Sequence, residues 1–262
     1  MRLPESRLGV YTRNRAAAGR PFPPPPLMLT TATTQQQRLD LEEKGFFIVR
    51  NICDAGTVLQ MRGVVRNWMA TPDPVSGGVN VDEEPTQPAE TASFEGRMAR
   101  YRKFNGFGTS SPLMWQECIT GPWAQLAQEI MGEDDVLLKF SSAFVKQPGG
   151  AETPWHQDNG LWRDQNVDCF SIWMALDPAT KENGCLQFIP ASHQPQLRER
   201  AVVQHVTYSD SVHCELPVDT TAALIAERGV EHIELQPGKR DMQAARQVKQ
   251  IVRCCTHALV RS

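Results

Sequence analysis

His156 and Asp158 stand two residues apart in the stretch TPWHQDNG, residues 153–160. Alternate side chains of a β-strand project from one face. In an extended segment this imidazole and carboxylate converge on one point, while Gln157 turns away. A neutral imidazole and a carboxylate are two of the three donors of the facial triad that holds non-haem Fe(II) and leaves positions open for substrates. The tripeptide alone is a weak signal, because His-x-Asp recurs by chance and a hydrogen-bonded surface or core histidine accounts for it equally. His193, His205, His213 and His232 fall at no ligand spacing and are read as structural, with His193 either structural or lining a site mouth.

Such a pair needs a framework. The stretch RLDLEEKGFFIVRNI reads as an acidic helical turn that runs into Gly45 and then a short strand, FFIV. Asp54 is predicted to cap the next helix, on which Val58, Met61, Val64, Val65 and Trp68 recur at helical spacing and form core. Pro72, Pro74, Gly77, Gly78, Pro85 and Pro88 mark residues 71–90 as an exposed loop. One helix is expected over about 112–131, from SSP to Gly132, carrying Trp115, Ile119, Trp123 and Leu126.

From Val136 onward the texture changes. VLLKFSSAFVKQ, DCFSIWMAL, GCLQFIP and VEHIELQPG are short, β-rich and punctuated by Gly, Pro and Asn. DPATKENG is a polar turn between two of these strands, with Asn183-Gly184 as a hairpin signal. Residues 192–229 form a long polar insertion that could line the substrate mouth of a barrel enzyme. The expected architecture is mainly β with helices: an antiparallel barrel or jelly roll backed by N-terminal helices.

Composition bounds the function. The 262 residues suffice for one good core. The net charge of −3 and the absence of a Lys/Arg stripe argue against a nucleic-acid partner. No apolar run reaches the length of a membrane span. Seven scattered cysteines without a C-x-x-C argue against a zinc knuckle and a disulfide framework, and favour a reducing, intracellular compartment. Residues 1–38 carry six arginines against the single acid Glu5, with PFPPPP and TTATTQQQ. They read as a disordered leader or an organelle transit peptide, so the site is cytoplasmic or organellar. Residues 39–262 are expected to form one domain.

The stretch FVKQPGGAETPWHQDNGLW, followed by CFSIWMALDPATKENGCLQFIPASHQ and preceded by GFFIVRNICDAGTVLQMR, resembles the phytanoyl-CoA dioxygenase family. Those proteins are Fe(II)- and 2-oxoglutarate-dependent oxygenases built on a double-stranded β-helix. The resemblance covers roughly residues 39–238, and the joint pattern is far more specific than any piece. It implies that His156 and Asp158 are metal ligands and that Trp173 lies beside the cosubstrate. It also aligns Lys103, in RYRKFNGF, with a lysine that contacts the cosubstrate. A core aromatic and a solvated surface lysine are the alternatives for these two. The implied reaction decarboxylates 2-oxoglutarate to succinate and CO2 while a C–H bond of a small organic substrate is hydroxylated, with ascorbate as reductant. Trp155, Trp162 and Phe170 would wall such a site with apolar surface.

The resemblance breaks near the end of the chain. The family follows its P-G-D turn with an apolar strand, a distal histidine and an arginine that grips the far carboxylate of the cosubstrate. Here the residues are QPGKRDMQAARQVKQIVRCCTHALVRS, and DMQAARQVKQ reads as helix where a barrel strand is expected. His257 is the one histidine left after Gly238. It is expected as the third ligand, on a displaced strand IVRCCTHALV, with an exposed tail histidine as the alternative. Arg261 is the candidate carboxylate clamp, a job that suits the guanidinium fork. The double-stranded β-helix is accordingly expected to be incomplete at its C-terminal end, with an open sheet edge. Two other functions fit the same residues: a catalytically inactive, truncated relative that acts as a binding protein, and a cupin-type metal enzyme that uses no oxo acid.

Overall fold

The computed structural model describes residues 33–50, 52–70, 79–84, 93, 96, 99–106, 108, 111–138, 141–156, 171–193, 204–208, 211–237, 241–245 and 252–253. For 204–208, 211–215, 241–245 and 252–253 it describes the backbone alone. Helix α1 (Gln35–Glu43) opens with a capping box: Thr34 accepts from the Gln37 N–H, and the Gln37 side chain accepts from the Thr34 N–H. Helix α1 thus includes residues ahead of Arg38. Strand β1 (Phe46–Arg50) follows, and α2 (Ala55–Ala70) comes next. Asp54 caps α2 as the sequence indicates, its Oδ1 accepting from the Thr57 N–H at 3.0 Å. Val58, Met61 and Val65 are buried on α2, with Val64 and Trp68 packed beside them.

The next segments are β2 (Asn80–Glu83), β3 (Tyr101–Asn105), α3 (Pro112–Ile119), α4 (Pro122–Met131) and β4 (Ser142–Phe144). Two expectations are corrected here. Residues 80–83 are not loop but a strand on β3, because Val79 is fully buried and Val81 packs on the same core. The single helix over 112–131 is two helices. Pro122 starts α4 with Gly121 as its cap, and a Cβ on Gly121 would lie 2.5 Å from the Glu117 carbonyl oxygen. The chain must therefore leave the α3 path at that point.

The remaining elements are β5 (Trp155–His156), β6 (Ser171–Met174), β7 (Leu186–Phe188), β8 (Gln204–Tyr208), β9 (Ser211–Glu215), α5 (Val218–Arg228), β10 (Glu231–Ile233), β11 (Asp241–Ala245) and β12 (Val252–Arg253). They form one sheet in the order β1-β11-β6 and a second in the order β10-β7-β12-β5, all pairs antiparallel. A third sheet is β2-β3-β4, and β8 and β9 form a separate hairpin.

The first two sheets face each other. Phe46 of β1 stacks on Phe188 of β7 with ring centroids 4.7 Å apart, in a cluster with Ala175, Cys185, Leu186, Ile233 and Leu235. Alternation turns Phe47 and Val49 to the opposite face of β1, where α2 and the third sheet supply Met61, Val65, Tyr101 and Phe104. The arrangement is the two-sheet sandwich backed by N-terminal helices that the strand pattern indicates. Its two facing sheets hold seven strands among the described residues, against the eight of a full jelly roll.

Three more expectations change. The helix-like DMQAA is strand β11, held between β1 and β6 with partners on both sides; pairing on two edges outweighs a modest helical propensity. A described strand, β12, also enters the second sheet between β5 and β7, in the segment expected to carry the displaced strand. Asn183-Gly184 does close a tight turn, with Gly184 at φ +83° and Asn183 Oδ1 accepting from the Thr180 N–H at 2.7 Å. That turn links β6 to β7 in opposite sheets, so it is a sandwich crossover and not a hairpin. Finally, the polar insertion 192–229 contains the β8–β9 hairpin and α5, and its Leu216 and Leu224 are buried.

Candidate metal-binding site

His156 sits on β5, and its neighbours fix which way it faces. Trp155 packs outward on the cluster of Ile189, Leu216 and Leu224, beneath α5. Its carbonyl accepts from the Leu216 N–H at 2.8 Å, which ties β5 to the segment after β9. Alternation therefore turns position 156 inward. The register agrees: β12 aligns Val252 with His156 on one edge and with Phe188 on the other. Positions aligned across a sheet share a face, and Phe188 faces the space between the sheets.

The imidazole is held by its own backbone. Nδ1 of His156 lies 2.8 Å from the Pro154 carbonyl oxygen. A carbonyl only accepts, so Nδ1 carries the proton and the lone pair of the neutral ring is on Nε2. Histidines that bind metals are oriented this way, with the distal N–H donated to a carbonyl or carboxylate. The donor chemistry and the tautomer of His156 fit an Fe(II) ligand.

Trp173 occupies the opposite wall. On β6 it pairs through Gln243 of β11 with Ile48 of β1, and both Trp173 and Ile48 pack on the inter-sheet cluster. His156 and Trp173 thus face one space from two sheets. Lys103 stands on the third sheet, where its ammonium lies 5.0 Å from the centroid of the Phe144 ring, a cation–π contact with its cross-strand partner. Asp158, His257 and Arg261 lie outside the described residues, as do Trp162 and Phe170.

His193 serves the fold: its Nε2 donates to the Glu42 carbonyl at 3.0 Å, docking the chain after β7 onto α1. His232 is exposed on β10, and His205 and His213 belong to the β8–β9 hairpin. Sequence reasoning missed Arg102. It is buried beside Lys103, paired with Glu84, and bonded to the segment that leads into His156. The available signal was its place in the period-2 alternation of β3, where Arg102 and the buried Phe104 share a face.

Residues 41–240 match the family described as phytanoyl-CoA dioxygenase (PhyH). The chain is 47% identical over 63 residues to phytanoyl-CoA dioxygenase 1 of Oryza sativa subsp. japonica, covering 24% of this chain and 22% of that protein. It is 32% identical over 78 residues to L-proline trans-4-hydroxylase of Streptomyces griseoviridis, covering 28% of this chain and 29% of that protein. These matches span less than a third of either relative's own length. Among solved structures, EctD from S. alaskensis with bound Fe superposes with a TM-score of 0.63 at 18% identity, over 86% of this chain and 72% of that one. That likeness establishes the shared fold, the double-stranded β-helix, over most of the chain.

Proposed function

The chain belongs to the phytanoyl-CoA dioxygenase family of Fe(II)- and 2-oxoglutarate-dependent oxygenases, and from that premise we propose that it hydroxylates a C–H bond of a small organic substrate. The observation that carries the reading is His156: inward-facing in a His-x-Asp motif, with its Nδ1–H given to Pro154 and its lone pair on Nε2. His156, Asp158 and His257 would hold Fe(II), and Trp173, Lys103 and Arg261 would contact 2-oxoglutarate. The bound metal supplies the Lewis acidity and the redox chemistry with O2 that couple oxidative decarboxylation to C–H oxidation.

The chain's own residues then have three tasks. His156 presents a neutral nitrogen donor, and the Pro154 carbonyl keeps its ring in one tautomer. Phe46, Phe188 and Trp173 belong to the apolar cluster between the sheets, which would keep water from a reacting carbon held beside it. Lys103 and Arg261 would complement the charge of the oxo acid, Arg261 through a bidentate grip.

The test is anaerobic titration of the purified chain with Fe(II) and 2-oxoglutarate, followed by the visible charge-transfer absorption of the metal–oxo acid chelate. Succinate release in air is measured alongside. Wild type should develop the band and release succinate, and His156→Ala should lose the band. A band without succinate, across a panel of candidate substrates, would favour the inactive binding protein. No band at any concentration would overturn the metal site.

A further inference from the structure

The segment that delivers His156 is held by a buried charge. Arg102 of β3 and Glu84 at the end of β2 are each 5% exposed. Arg102 Nη1 donates to Glu84 Oε2 at 3.2 Å and to the Ala151 carbonyl at 2.6 Å. Its Nη2 donates to Thr153 Oγ1 at 2.9 Å. The second oxygen of Glu84 accepts from the Ala151 N–H at 2.9 Å. Gly150 lies against the same carboxylate, so close that an added Cβ would stand 2.9 Å from Glu84 Oε2.

A buried ion pair is weak grounds for a gain in stability, because desolvation of the two charges opposes their attraction. Its geometry is the more informative property. The guanidinium fork is planar and rigid, and here its two arms fix Ala151 and Thr153 at once. Pro154 follows with its φ locked by the ring, and Thr153 is restricted because it precedes a proline. Few dihedral angles therefore separate the Arg102 fork from the Pro154 carbonyl, the group that accepts the His156 Nδ1–H.

We propose that the Glu84–Arg102 pair is a positioning device for the metal-binding strand: it anchors residues 150–154 so that the Pro154 carbonyl holds His156 in the Nδ1–H tautomer. The proposal rests on the metal-site reading above. Arg102 and Glu84 touch neither substrate nor metal in this scheme; they act through the segment they hold.

The experiment uses the full chain and two mild variants. Arg102→Lys keeps the charge and loses the fork, while Thr153→Val keeps the shape and loses the hydroxyl acceptor. Nitrogen NMR of the imidazole ring in metal-free protein reads the His156 tautomer. Titration with Co(II), a spectroscopically visible substitute for Fe(II), reads the affinity. In both variants His156 should drift to a mixture of tautomers, and the Co(II) Kd should rise about 10-fold, the low end for groups that orient a ligand. A merely structural clamp would lower Tm and leave the tautomer and the Kd at wild-type values, which overturns the proposal. Should wild type bind no Co(II) while the variants still lose the tautomer, the positioning role stands and the metal reading falls. If Arg102→Lys does not fold, Thr153→Val decides alone.

Discussion

Glu117 and Cys118, neighbours on α3, show what burial does to single groups. The Cys118 thiol is pushed up to about 12 by burial, with a smaller push from the charge of Glu117. It is therefore no nucleophile at neutral pH, where a thiolate is required. Burial raises the Glu117 carboxyl above its ordinary value of 4.5, and the Asp54 charge adds to the shift. The folded chain thus binds this proton more tightly than the unfolded chain does. Stability should fall as pH rises from about 4.5 through the raised value, because the unfolded chain ionises first. Glu117→Gln should flatten that slope and raise the urea midpoint at neutral pH. A variant with the wild-type slope would locate the effect elsewhere. At this scale, features set by near neighbours were legible in the sequence. Asp54 reads as a cap because its partner, Thr57, is three residues on. Arg102 shares the face of Phe104, but Tyr101 on the other face is buried as well, so alternation alone left open which of Arg102 and Lys103 turns inward.

The break between α3 and α4 sets apart what sequence periodicity can and cannot see. The apolar stripe of Trp115, Ile119, Trp123 and Leu126 continues across Thr120-Gly121-Pro122, so one helix looks as good as two. Yet Trp115 is 45% exposed while Trp123 is 8% exposed, and the two do not share a buried face. Gly121 has an ordinary negative φ of −81°, so its need for glycine comes from crowding against Glu117 rather than from backbone strain. Gly121→Ala should force the α3–α4 corner apart. It is expected to cost about 1–3 kcal/mol, the range for overpacked sites, read as a lowered urea midpoint with unchanged slope. A neutral result would mean that the corner yields. Strand β11 carries the same lesson in reverse. Met242, Gln243, Ala244 and Ala245 suit a helix locally, but backbone pairing with β1 on one side and β6 on the other decides the outcome. Local signals placed α2, β1, β6, β7 and β10, where the composition agrees with the tertiary demand. They failed at β2 and β11, where it does not.

Across the whole molecule, the family pattern of about residues 39–238 coincides with the matched span 41–240. The family pattern implied His156 as a metal ligand and Trp173 beside the cosubstrate; their places on opposite walls come from the strand pairing and not from spacing. The candidate site joins elements far apart in the chain. Strand β5 is completed by β12, and the facing wall by β11, so residues 241–245 serve one sheet and residues 252–253 the other. A metal bound through His156 would thus add a tie where the two sheets meet, and it would bind the folded chain alone. Free metal at about 100 times its Kd should then add about 2.7 kcal/mol. For a chain of this size each kcal/mol corresponds to about 2–4 °C, so Fe(II) under anaerobic conditions should raise Tm by roughly 5–10 °C. Calorimetry with Fe(II), and with Ca2+ as a hard oxygen-seeking control, measures the shift. His156→Ala should abolish the Fe(II) shift while keeping its own Tm near that of the metal-free wild type, since residue 156 is only half-buried. An equal shift with both cations, or one that survives His156→Ala, would place the binding on surface carboxylates and remove β5 from the metal site.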